Sequence, residues 1–288
     1  MPQAGPRKWR APARRGATPP AAFRAILASA LAQIEANAPF AGGDDPEFLH
    51  QLRVAVRRLR SALQAFRRVL PRKPRKRLVR ALRGVTPRLG VARDWDVFAA
   101  WLESAGAPAL LLAKARVERA NARRRARQAL GSRAWAKAVV QARALRAGQS
   151  TASLKEFAAS AIDRAHSKAL KEARGIDWRD AAQRHAVRVR LKRLRYTCDF
   201  LAHGFPPRRV AGYIGNLKRL QDILGGLNDI RVGSELFSEL EADGGPVRRK
   251  LASREAALLR RLAPAWRAFE GRPPFWEPRE RTLRRAAT

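Results

Sequence analysis

Carboxylates are scarce in this 288-residue chain: 24 Asp and Glu stand against 61 Lys and Arg, for a formal charge of +37. Cysteine is rarer still. The single thiol, Cys198, excludes an internal disulfide and any zinc site built from thiolates alone. The histidines number four, at 50, 166, 185 and 203, and no His-x-x-x-His pair occurs, so a metal centre is not expected. No uninterrupted apolar run approaches a membrane span; the longest surrounds Ala107–Ala113. Near the N-terminus, the stretch 25–34 follows Arg24 and is broken by Ser29 and Gln33, which reads as an amphipathic helix and not as an export signal. A cytoplasmic protein is the expectation.

What the chain has instead is arginine. Fifty of the 61 cations are Arg, whose guanidinium fork grips phosphate oxygens two at a time. Residues 1–17 read as a disordered basic tail carrying +5, and residues 271–288 as a second basic tail carrying +3, so the body holds +29. A folded polycation of that size points to a polyanionic partner. With 46% hydrophobic residues it also has ample material for a core.

Periodicity is helical almost throughout. Leu49, Leu52, Val56, Leu59, Leu63, Phe66 and Leu70 recur at alternating spacings of three and four, the seam of a helix packed on others, with Pro71 and Pro74 ending it. Further helices are predicted near 19–37, 74–104, 107–130, 132–147, 152–173, 180–203, 207–241 and 246–269. Strand-like alternation is scarce. The fold class is all-α.

Sliding the chain along itself exposes a repeat. The segment His50-Gln-Leu-Arg53-Val-Ala-Val-Arg57-Arg58-Leu59-Arg60 matches His185-Ala-Val-Arg188-Val-Arg-Leu-Lys192-Arg193-Leu194-Arg195, with six of eleven positions identical at an offset of 135. Leu89-Gly90 through Arg93-Asp94 matches Leu224-Gly225 through Asn228-Asp229 at the same offset. Arg83 and Lys218 are also 135 apart. The second copy repeats the seam as Val187, Leu191, Leu194, Cys198 and Leu201, which makes Cys198 a core residue. At 100° per residue, Arg53 and Arg60 border the seam, with His50 and Arg57 further round. Such a row lines a crevice between helices, and two rows facing across a two-fold would form a basic channel.

This doubled pattern resembles the CHAD family, the conserved histidine α-helical domain, over residues 18–270, with halves of about 18–150 and 151–270. The resemblance implies two pseudo-symmetric four-helix bundles and a basic central cavity that binds inorganic polyphosphate. It also implies, for some members, an association with polyphosphate or storage granules. Carried over by position, the binding residues are His50, Arg53, Arg57, Arg58, Arg60 and Arg83, and His185, Arg188, Lys192, Arg193, Arg195 and Lys218. Arg93 stands where the second copy has Asn228, so the halves are not chemically equivalent. No Glu-x-Glu-x-Lys strand is present, so the triphosphate-tunnel (CYTH) domain found beside CHAD in many relatives is not expected.

Catalysis is not expected either. Asp94 and Asp229 read as partners for arginine, Gly90 and Gly225 as sites of close helix approach, and no P-loop spacing or Ser–His–Asp arrangement occurs. Phosphoanhydride chemistry needs clustered carboxylates for Mg²⁺, and no such cluster is evident. No cofactor is called for. The alternative partner is nucleic acid, on whose bases the seven tryptophans could stack, although Trp101 and Trp135 fit helix-core positions. A polyphosphate-processing enzyme is the third reading.

Overall fold

A computed structural model describes residues 5–8, 18–240 and 245–277. Its described residues form nine α-helices and no strand: α1 (Pro19–Asn37), α2 (Pro46–Ala65), α3 (Arg72–Ser104), α4 (Ala109–Leu130), α5 (Arg133–Ala144), α6 (Leu154–Ala173), α7 (Ala181–Leu201), α8 (Pro207–Glu239) and α9 (Gly245–Glu270). Pro19 and Leu154, Pro46 and Ala181, and Arg72 and Pro207 are each 135 residues apart, so three helix starts keep the spacing seen between the motifs. No described helix is long and apolar enough to cross a membrane.

Polar residues set where the helices begin. The Asp45 carboxylate accepts from the Glu47 N–H at 2.8 Å to start α2, and Asp180 accepts from Ala182 and Gln183 at 2.7 and 3.1 Å to start α7. Ser153 and Glu156 close a reciprocal capping box on α6. The seam of α2 is buried as expected, but the helix stops at Ala65; Phe66 and Leu70 are buried from the turn that follows. Pro71 then caps α3 and Pro74 is its third residue. Pro71 thus opens a helix as well as following the seam, and Pro74 sits in the first turn of the helix predicted near 74–104, because a first-turn N–H has no helical partner to lose.

The chain divides into two compact units. Among the described residues the first comprises 5–8, 20–150, 232–240 and 245–248, and the second 18–19, 151–231 and 249–277. The chain passes from the first unit to the second after Ser150, and the end of α8 with the start of α9 returns to the first, where Lys114 donates to the Leu240 carbonyl at 3.1 Å.

In the first unit α3 packs on α2, α4 and α5 around Phe23, Leu52, Leu59, Leu63, Leu78 and Leu89, each at most 2% exposed. Fully burying such a side chain contributes roughly 1.5–3 kcal/mol. In the second unit the core turns aromatic: Tyr213, Phe269 and Phe275 are at most 1% exposed.

The count of four helices per bundle holds only for the second unit. Ser132 caps α5 in the first, whereas the stretch 135 residues later contains Gly271 and Pro273-Pro274, which deny it a helix. There Phe275 and Trp276, assigned by sequence to the C-terminal tail, are instead buried at 1% and 7% exposure. Part of the N-terminal tail is anchored as well: the Arg7 backbone exchanges hydrogen bonds with the Asn37 amide at 3.2 and 3.1 Å. Residues 1–4, 9–17 and 278–288 of the two tails lie outside the described residues.

Candidate functional site

The rows start from their caps. Asp45 and Asp180 place His50 and His185 each five residues further on, in the second turn of α2 and α7. Just ahead of each cap, two carbonyls are gripped by a buried arginine. Arg123 Nη1 on α4 donates to Gly43 and Asp44 at 2.8 and 2.9 Å. Arg184 Nη1 on α7 donates to Trp178 and Arg179, both at 2.8 Å. Residues 178 and 179 stand 135 after 43 and 44, so the same pair of acceptors is held in both units.

The two arginines come from different places. Position 184 corresponds to Leu49, and position 123 to Leu258. Each guanidinium also has its own carboxylate. Arg123 and Arg119 both reach Asp96 at 2.8 Å, while Arg184 reaches Glu255 at 3.0 Å. Sequence reasoning missed these anchors and looked instead to Asp94 and Asp229. Asp96 is the buried one, at 4% exposure, and its counterpart is Arg231.

Along the first row, His50, Arg53, Arg57, Arg58 and Arg60 are all half-buried. His50 is held below its usual pKa by burial first and then by the positive charge of Arg93, with Arg57 and Arg53 adding to the effect and Glu47 opposing it. Burial and the neighbouring Arg83 guanidinium likewise pull Arg60 below the usual arginine value, so α3 brings Arg83 up to the end of the row. Gly90 makes room for a guanidinium: a Cβ there would stand 3.0 Å from Arg53 Nη1. Gly225 has nothing nearby, and the close approach in the second unit falls on Gly226, against Leu258.

The second row repeats this plan with other chemistry. His185 Nδ1 lies 3.1 Å from Asn228 Oδ1, at the positions corresponding to His50 and the Arg93 whose charge acts on it. His185, Arg188, Asn228 and Arg231 line one small pocket with Arg184. Arg188, Lys192 and Arg195 are half-buried, and Arg193 and Lys218 are exposed. Arg195 Nε donates to Asp199 one turn on, at 2.9 Å, where the first row has Gln64.

Among the described residues no three His, Cys, Asp or Glu side chains gather to hold a metal ion. Cys198 is 1% exposed, and burial pushes its thiol pKa far up, which leaves it an unreactive core residue. Trp95, Trp135, Trp266 and Trp276 are at most 7% exposed and cannot stack on bases, whereas Trp101 is only half-buried. His166, also buried, bonds Tyr213 across 2.8 Å within an aromatic cluster.

The model of the CHAD domain matches residues 25–238. The crystal structure of the CHAD domain from the plant Ricinus communis superposes with a TM-score of 0.74 at 30% identity, covering 94% of this chain and 98% of that one. PptA from Streptomyces chartreusis shares the fold, with a TM-score of 0.60 at 18% identity over 86% of this chain and 96% of its own. No curated protein matches the chain.

Proposed function

The chain belongs to the CHAD family, and from that premise we propose that it binds inorganic polyphosphate along the α2 and α7 rows and does not transform it. The observation that supports this reading is the pair of cationic rows, half-buried on α2 and partly exposed on α7, each starting from an aspartate cap and facing the same position of α3 or α8. The matched spacing of helix starts supports a duplicated plan, in which each half supplies one row. Successive guanidiniums contact successive phosphates, and release of counterions drives association. A linear anion without bases needs no stacking platform. Association with polyphosphate granules follows as the cellular counterpart of this affinity.

The test combines Arg53→Ala with Arg188→Ala. Loss of two charge-assisted contacts lowers affinity for polyphosphate roughly 10- to 100-fold at moderate salt. Unchanged affinity refutes the site. Displacement of bound polyphosphate by DNA at equal phosphate concentration would assign the rows to nucleic acid instead.

A further inference from the structure

The first row does not end at Arg60. Between Phe48 and Arg93 the sequence holds 15 Lys and Arg and no carboxylate. The corresponding stretch of the second unit, 183–228, holds ten cations and two carboxylates, one of them bonded to Arg195. The surplus is concentrated at the start of α3: residues 72–83 carry seven cations, against three in 207–218.

Local helix physics opposes that placement. Arg72, Lys73 and Arg75 occupy the first turn, where the helix dipole favours negative charge, and no acid is present there to offset them. Arg72–Lys76, Lys73–Arg77 and Lys76–Arg80 are like-charged pairs four residues apart, each unfavourable in isolation. Apart from half-buried Arg75 these side chains are exposed, so no packing requirement explains them. Rules of local stability broken together on one exposed face mark a functional surface. Arg83 joins that face to the row, through its proximity to Arg60.

We infer that the exposed first three turns of α3, from Arg72 to Arg83, form a cationic track continuing from the α2 row that carries the overhanging part of a long polyphosphate chain. The track is about 16 Å long at 1.5 Å per residue. It rests on the reading that the row binds polyphosphate, and it adds a length dependence. Short chains are satisfied by the rows, whereas long ones also occupy the track.

The experiment replaces Lys73, Lys76, Arg77 and Arg80 with Gln in the full-length protein, with folding checked by circular dichroism. A control variant replaces Arg249, Arg254, Arg260 and Arg261 on α9, which removes the same charge elsewhere. Binding of tripolyphosphate and of a chain of about a hundred phosphates is measured against salt. The α3 variant loses about tenfold in affinity for the long chain, its salt slope shrinks by about 3, and its tripolyphosphate affinity stays within about twofold. The control variant keeps most of its long-chain affinity. An unchanged long-chain affinity in the α3 variant, or an equal loss in the control, overturns the track while leaving the rows standing. Loss of duplex DNA binding without loss of polyphosphate binding would give the face to nucleic acid and also overturn it. If the native protein binds neither phosphate probe, the row reading fails and the track falls with it.

Discussion

The two units solve one problem with different residues. In each, a pair of carbonyls ahead of the row helix is held by an inward-turned arginine. The first unit takes Arg123 from α4 and locks it to Asp96, a carboxylate whose side chain is 1% exposed. The second takes Arg184 from the row helix itself and pairs it with Glu255, whose side chain is 38% exposed. The first anchor is dry and the second partly wet. What the fold specifies is a donor at a place, not a residue at a position.

Breaking each anchor measures that difference. Arg123→Met leaves buried Asp96 with Arg119 as its remaining guanidinium and takes the donor from two carbonyls, and costs about 2–4 kcal/mol. Arg184→Met costs about 1–3 kcal/mol, since water can reach Glu255 once its partner has gone. Urea denaturation of both variants decides, and equal losses would erase the contrast between dry and wet anchors.

A smaller effect separates the cores. The second unit buries the polar pair His166 and Tyr213 where the first has Leu31 and Leu78. Tyr213→Phe removes the hydrogen bond at His166 Nδ1 and costs about 1–2 kcal/mol. His166→Leu with Tyr213→Phe recovers much of this, since both ends of that bond are then gone. Thermal melting of the single and double variants reads the difference.

The smallest effect concerns pH in the first row. Folded His50 holds its proton less tightly than an unfolded histidine, whose pKa is 6.5, so the unfolded chain takes up protons first. Stability is therefore complete above that pH and declines as pH falls below it. His50→Gln flattens this part of the stability profile between about pH 5 and 7, measured from urea midpoints. A slope unaltered by the substitution would remove His50 from the account.

Much of this architecture is legible in the sequence. The Leu49–Leu63 seam, the offset of 135 and the match of Arg93 with Asn228 follow from periodicity and self-comparison, which read local and repeated features well. The anchors escape because their bonds join residues 79 and 80 apart in the first unit. Arg123 sits in the run Arg123-Arg124-Arg125, where nothing local tells the one that turns inward from the two that stay exposed. Asp96 was passed over for a similar reason: the repeat drew attention to Asp94, which both copies share, although charge of opposite sign at 96 and 231 marks the larger divergence. Phe275 and Trp276 were hidden by the basic residues around them, which read as a tail.

Cys198 gives the second unit a clock of its own. Because the chain's only thiol is sealed in that core, a thiol reagent added to the native protein reacts only when the surroundings of Cys198 open. At high reagent concentration the labelling rate becomes the opening rate itself; at low concentration it reports how often the open form is populated. The thiol thus times the breathing of one unit while the other stays silent, with no engineered probe.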